Sequence, residues 1–237
     1  MLRSAGWNDF FEEQYSVYRE SGLVPGRVIS RESNFYSVEV SAGRIEAVVA
    51  GHFSYTAAGQ SDYPACGDWV LLREAGGAYV VEKVLERRSR FSRRTAGRRS
   101  DEQIIAANID IMFITASLDG GRNFNLRGIE RYMVMVHDGG AGPAVLLNKC
   151  DLCADREEAM KQASSVAGDA PVLMVSALTG EGMERLASMI GQGVTAAFTG
   201  PSGVGKSALV NRLLGRDEQR TGGQRIDDLR GRHTTTS

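Results

Sequence analysis

Disulfide chemistry has little to work with in this chain. Only Cys66, Cys150 and Cys153 occur, an odd count without the paired spacing of a secreted disulfide framework, which suits a reducing compartment. Cys150 and Cys153 stand at Cys-x-x-Cys spacing, but no second ligand pair lies nearby in sequence and Asp151 between them has another task, which disfavours a metal or redox pair. Long apolar runs are also missing. The segment Met1-Leu2-Arg3-Ser4-Ala5-Gly6-Trp7 lacks the apolar core of a signal peptide, and nothing approaches the ~20 apolar residues of a membrane span. The sequence therefore predicts a soluble, cytoplasmic protein without a membrane partner. Net charge is scarce too: a formal −1 gives no global attraction for nucleic acid. Histidine is scarce, and His52 and His137 have neither a metal-like neighbour nor an obvious nucleophile, so both read as surface or internally satisfied side chains.

With 237 residues and 42% apolar content, the chain can bury an ordinary core and hold two modest domains. Asn8 or Asp9 is placed to cap an amphipathic helix carrying Phe10, Phe11, Tyr15 and Tyr18 to about Arg19. From Gly26 to about Leu85 the texture changes to short alternating runs: Arg27 to Ile29, Tyr36 to Val40, Ile45 to Ala50, Asp68 to Leu72 and Tyr79 to Val84. Such strands suit a small barrel, and composition allows either an OB or an SH3-like form. In its long loop, Phe53, Tyr55 and Tyr63 either stack on bases or close one end of the barrel, and Trp69 lies within a strand. Arg87, Arg88, Arg90, Arg93, Arg94, Arg98 and Arg99 then form a dense basic stretch, either a phosphate-backbone contact or a solvated linker.

Beyond that stretch strands and helices alternate. Strands are expected at Ile109 to Thr115, Val145 to Leu147, Val172 to Val175 and Val194 to Phe198. Helices are expected at Leu126 to Val136 behind Asn125, Asp155 to Val166, Met183 to Ile190 and Lys206 to Leu214. The alternation implies an α/β domain with a mainly parallel sheet.

The last strand and helix are joined by Gly200-Pro201-Ser202-Gly203-Val204-Gly205-Lys206-Ser207, followed by Ala208. Glycines at these spacings let the backbone curl with its N–H groups inward, at a helix N-terminus whose dipole favours anions. Lys206 is then placed for β- and γ-phosphates and the Ser207 hydroxyl for Mg²⁺. A second loop, Asn148-Lys149-Cys150-Asp151, follows the apolar strand ending at Leu147. A carboxylate at Asp151 can accept from the N1–H and exocyclic amine of guanine, whereas adenine offers it no donor. Asn148 is expected to hold the loop and contact the base edge, and the stem of Lys149 to cover the base face. After the next strand, Ser176-Ala177-Leu178 places the Ala177 N–H toward guanine O6. The base loop precedes the phosphate loop, the reverse of the order in most GTPases, which points to a circularly permuted GTPase.

At these residues the chain resembles the ribosome small-subunit-dependent GTPase A (RsgA) family. The resemblance extends to Gly67-Asp68-Trp69-Val70, the run from Arg87 to Arg94, Ala106-Ala107-Asn108-Ile109-Asp110, Ser117-Leu118-Asp119 and Phe124-Asn125-Leu126, covering about Leu23 to the last residue. It favours the OB form of the barrel. It also implies that Gly231-Arg232-His233-Thr234-Thr235-Thr236 is a first switch, with Thr235 on Mg²⁺ and His233 assisting hydrolysis. Complete members carry a second switch and a zinc-binding C-terminal region; neither is found, and Asp228-Leu229-Arg230-Gly231 reads as a coincidental Asp-x-x-Gly. The chain thus reads as a truncated form with reduced turnover, with zinc expected only in the missing region.

The combined expectation is an N-terminal helical segment (1–22), an OB-type barrel (23–87), an arginine-rich connector (88–105) and a circularly permuted P-loop GTPase domain (106–237). GTP and Mg²⁺ are the expected ligands, the small ribosomal subunit and its rRNA the expected partners, and a monomer the expected state. A P-loop ATPase and an RNA-binding module that binds nucleotide without hydrolysing it are the alternatives.

Overall fold

The computed structural model describes residues 2–32, 35–51, 53–57, 59–94 and 102–215. They fall into two compact units. One takes Met1–Phe113 with Arg131–Pro143 and Ile190–Ala197; the other takes Ile114–Glu130 with Ala144–Met189 and Phe198–Ser237.

The first unit opens with helix α1 (Asp9–Ser16), whose N-cap Asn8 accepts from the Phe10 N–H at 3.1 Å. A five-stranded closed barrel follows: β1 (Val24–Arg31), β2 (Tyr36–Val40), β3 (Gly43–Val49), β4 (Trp69–Ala75) and β5 (Ala78–Val84). Its order is β1-β2-β3-β5-β4, with β1 pairing back onto β4 and β3 running parallel to β5. A one-turn helix α2 (Phe53–Thr56) lies in the β3–β4 loop. All five predicted strands form, because alternation sends Val28, Val38, Val40, Val70, Leu72 and Val81 into a common interior.

Strand β4 is apolar on both faces for a specific reason. Val70 and Leu72 fill the barrel, whereas Trp69 and Leu71 pack outward with Trp7, Phe11, Leu23 and Leu85. The rings of Trp7 and Trp69 meet edge to face at 4.8 Å. Phe11, 1% exposed, gains about 1.5–3 kcal/mol by this burial, which fixes α1 to the barrel. Phe53 is also buried, within the barrel core, and its ring lies 6.2 Å from that of Tyr63, so these aromatics close the barrel end; Tyr55 is exposed. Trp69, at 1% exposed, is a core residue and is not open to bases.

Part of the arginine-rich stretch is strand. Strand β6 (Arg90–Arg94) pairs antiparallel with β7 (Glu102–Ala107), Arg90 opposite Ala107 and Arg94 opposite Glu102. Arg87 does not belong to an open basic face at all. Its guanidinium takes the fully buried Asp68 carboxylate in two bonds of 2.8 and 2.7 Å and also donates to the Ser61 and Tyr63 carbonyls. Arg88 pairs with Asp110 and Arg90 with Glu102. Arg98, Arg99 and His52 lie outside the described residues.

The second sheet has the order β10-β9-β8-β11, from β8 (Ile111–Ser117), β9 (Gly142–Asn148), β10 (Val172–Met174) and β11 (Ala196–Thr199). Parallel pairing sets Val172, Leu173 and Met174 beside Val145, Leu146 and Leu147. The helices are α3 (Leu126–Asp138), α4 (Arg156–Ala167), α5 (Met183–Ser188) and α6 (Lys206–Leu213). Asn125 caps α3 through Gly128 N–H, and Asp155 caps α4 through Glu158 N–H. Ala144 to Leu147 are at 0% exposure, the near-continuous apolar signature of a strand covered on both faces. An OB-like barrel with an α/β parallel-sheet domain is therefore the fold, as the sequence predicts. Among the described residues no helix is long and apolar enough to cross a membrane.

Candidate nucleotide site

Three loops of the second unit meet at the carboxyl ends of β9, β10 and β11, where open α/β sheets place their ligands. The loop after β11 curls as its glycines predict. Gly200, Gly203 and Gly205 have φ of +136°, +84° and +93°. At Gly200 a Cβ would come within 2.2 Å of the Thr115 carbonyl oxygen, and at Gly205 within 2.3 Å of Asn148 Nδ2. Two of the three glycines are thus required by close approach as well as by backbone angle. Val204, fully buried, anchors the loop, while Pro201, Ser202, Gly203 and Ser207 are exposed; Ala208 is half-buried on α6. Lys206 Nζ donates to the carbonyls of Gly200 and Pro201 at 2.8 and 2.9 Å, which holds its charge over the curl of the loop.

The loop after β9 turns sharply at Lys149, whose φ of 60° and ψ of 37° are left-handed, and continues as a short 3₁₀ turn at Cys150–Leu152. Cys150 is fully buried, and burial pushes its thiol above the usual range. Asp151 Oδ1 is buried and has no hydrogen-bond partner among the described residues. After β10, Ser176 and Ala177 are buried and Leu178 is 70% exposed; Ser176 Oγ accepts from the Thr179 N–H at 3.1 Å.

Asn148 ties the three loops together. It is 2% exposed; its Nδ2 donates to the Val204 carbonyl at 2.8 Å and its Oδ1 accepts from the Ala177 N–H at 3.2 Å. The role expected of Asn148 in holding its loop is therefore visible, but both ends of its amide face protein. The Ala177 N–H, expected to face guanine O6, is likewise engaged by Asn148. The Lys149 ammonium reaches the phosphate loop, donating to the Gly203 carbonyl at 2.9 Å, and pairs with Asp119 at 2.6 Å. Sequence reasoning assigned Asp119 no task. Its position at the carboxyl end of the buried strand Ile111–Ser117 was the available signal. His233 and Thr235, with the whole region from 216 to 237, lie outside the described residues.

These features fit a guanine nucleotide with Mg²⁺. A buried carboxylate oxygen without a donor matches a base edge that supplies donors, a glycine curl closed to side chains matches phosphates, and the exposed Ser207 hydroxyl is a hard oxygen donor of the kind Mg²⁺ takes.

Comparison with known proteins gives the lineage. The RsgA GTPase family matches residues 84–237. "Small ribosomal subunit biogenesis GTPase RsgA 2" of Lactiplantibacillus plantarum is 40% identical over 224 residues, covering 94% of this chain and 63% of the relative. The protein of the same description from Vibrio parahaemolyticus is 40% identical over 236 residues, covering 100% of this chain and 62% of the relative. The chain thus spans a little under two thirds of the length of these relatives. Among solved structures, YjeQ from Thermotoga maritima superposes with a TM-score of 0.65 at 26% identity, over 81% of this chain and 65% of that one. YloQ, described as a circularly permuted GTPase, shares the fold with a TM-score of 0.57 at 20% identity, over 82% of this chain and 65% of that one. With the base loop ahead of the phosphate loop and a family match across both, the chain belongs to the RsgA GTPase family.

Proposed function

We propose that this chain binds GTP with Mg²⁺, hydrolyses it, and serves in biogenesis of the small ribosomal subunit. The observation that carries the guanine assignment is the buried, unpartnered Oδ1 of Asp151. A buried acceptor without a donor is costly, and the N1–H and 2-amino group of guanine supply two. Adenine supplies none there, which gives a discrimination of about 10² to 10⁴ from two charge-assisted bonds. The ribosomal part rests on the names of the relatives.

In this reading the backbone from Gly200 to Ser207 binds the phosphates, and Lys206 turns from the Gly200 and Pro201 carbonyls to phosphate oxygens, which as ionic acceptors make stronger bonds than carbonyls do. Ser207 and Thr235 hold Mg²⁺, which when bound neutralises charge that develops on the phosphate oxygens. Lys206 adds a second positive charge at the same place, and His233 orients the attacking water. The barrel and the exposed Arg90 of β6 meet rRNA through its phosphates, as a cytoplasmic monomer.

The test is Asp151→Asn. An amide offers a donor to the 2-oxo group of xanthine where the carboxylate required one from guanine. GTP affinity should fall about a hundredfold and xanthosine triphosphate should become a competitor, measured by equilibrium titration against GTP, ATP and XTP. Unchanged affinity and selectivity would overturn the assignment.

A further inference from the structure

Asp119 stands in the loop between β8 and α3, outside every nucleotide motif. Its carboxylate accepts from Lys149 Nζ at 2.6 Å, from Ser117 Oγ at 3.2 Å and from the Gly121 N–H at 3.2 Å. The same ammonium donates to the Gly203 carbonyl at 2.9 Å. One cation therefore bridges a carboxylate on one loop and a backbone oxygen of the phosphate loop, from a residue of the base loop. The Lys149 and Asp119 side chains are 31% and 23% exposed, so water screens the pair only in part. The hydrogen bond from Lys149 holds the Asp119 carboxyl below its usual range.

We propose that Asp119 is a positioning residue for the nucleotide: by drawing the Lys149 ammonium onto Gly203 it fixes the base loop against the phosphate loop. This rests on the function proposed above. A guanine nucleotide has to engage both loops at once, and ordering them beforehand removes that cost from binding. A lone carbonyl is a weaker partner for an ammonium than a carboxylate is, and a lysine stem released from one anchor regains rotamer freedom. Asp119 touches neither base nor phosphate in this scheme and acts only through Lys149.

The experiment is a double-mutant cycle on GDP affinity, with Asp119→Asn, Lys149→Met and the two combined. Methionine keeps an apolar stem and removes the ammonium. Asp119→Asn should weaken GDP about tenfold, the scale of one charge-assisted hydrogen bond. In the Lys149→Met background the same change should do almost nothing, which a general loss of stability would not produce. Preference for GDP over ADP should persist in every variant, since Asp151 is untouched. Asp119→Glu, which keeps the charge one methylene further out, should bind between wild type and Lys149→Met and gives the same reading if Asp119→Asn does not fold. Losses that multiply in the double variant, or an Asp119→Glu weaker than Lys149→Met, would overturn the proposal. Wild-type chain indifferent to GDP against ADP would sink the proposed function and this inference with it. Selective binding that ignores Asp119 would sink this inference alone.

Discussion

Replacing Asn148 by aspartate changes one amide nitrogen into an oxygen at the knot of three loops. The Ala177 N–H keeps its acceptor, but the second oxygen now faces the Val204 carbonyl, which Nδ2 contacts at 2.8 Å in the parent. Two acceptors at that distance repel, and the site is 2% exposed. The variant can relieve the conflict by protonating, because a neutral carboxyl donates where the amide did. Keeping a carboxyl of ordinary pKa near 3.9 protonated at pH 7 costs about 4 kcal/mol, and at pH 5 about 1.5 kcal/mol. That sets the ceiling of the additional loss, since the ionised form is adopted only where it is cheaper. The sign follows from linkage: the folded pKa lies above the unfolded one, so the folded variant binds more protons and gains stability as pH falls through that window. The difference from wild type should therefore shrink by up to about 1.4 kcal/mol per unit between pH 7 and pH 5. Urea unfolding of both proteins at pH 7, 6 and 5 measures it, with GDP affinity followed in parallel. Asn148→Ala, which leaves the Val204 carbonyl and Ala177 N–H unpaired at every pH, should lose about 2–4 kcal/mol with little pH dependence. A loss in Asn148→Asp that does not change with pH, or parity with wild type, would refute the proposed hydrogen-bond geometry.

The phosphate loop predicts a contrast between two glycines. Gly200→Ala, at φ +136° with its Cβ 2.2 Å from the Thr115 oxygen, should cost at least about 2 kcal/mol and abolish nucleotide binding. Gly203→Ala, at φ +84° with its nearest neighbour 3.9 Å away, should cost about 1 kcal/mol, and equal losses in thermal unfolding would rule out the clash. Arg87→Ala strands the fully buried Asp68 carboxylate and should destabilise by about 3–5 kcal/mol in denaturant unfolding, where a loss below about 1 kcal/mol would show the pair to be dispensable.

Local signals carried the fold and the two nucleotide loops. Period-two alternation from Val28 to Val81 marked the barrel, and the spacing of Gly200, Gly203 and Gly205 marked a curled backbone in which Gly200 and Gly205 leave no room for a side chain. What stayed hidden depends on partners distant in sequence. The pairing of β6 with β7 was obscured because Arg90, Arg93 and Arg94 read as solvated charge, while their ladder partners lie beyond an intervening polar run. Arg87 looked equivalent to its neighbours until Asp68, nineteen residues away, claimed it. Asn148 and Ala177 were legible as residues of two loops at strand ends, but not their mutual bond, since twenty-nine residues separate them. Asp119 escaped for the same reason: only the fold brings Lys149 to it.

Closure of the barrel also limits how this chain can be recognised. With β1 joined to both β2 and β4, and β3 to β5, every described barrel strand has two neighbours and the ladder closes without an edge strand. Recognition by strand addition, in which a partner's extended segment extends a sheet, is therefore closed to this part of the molecule. A partner of the barrel has to be read by side chains on its outer faces and by its connecting loops, so sequence changes confined to those positions can alter partner choice without disturbing the strand ladder.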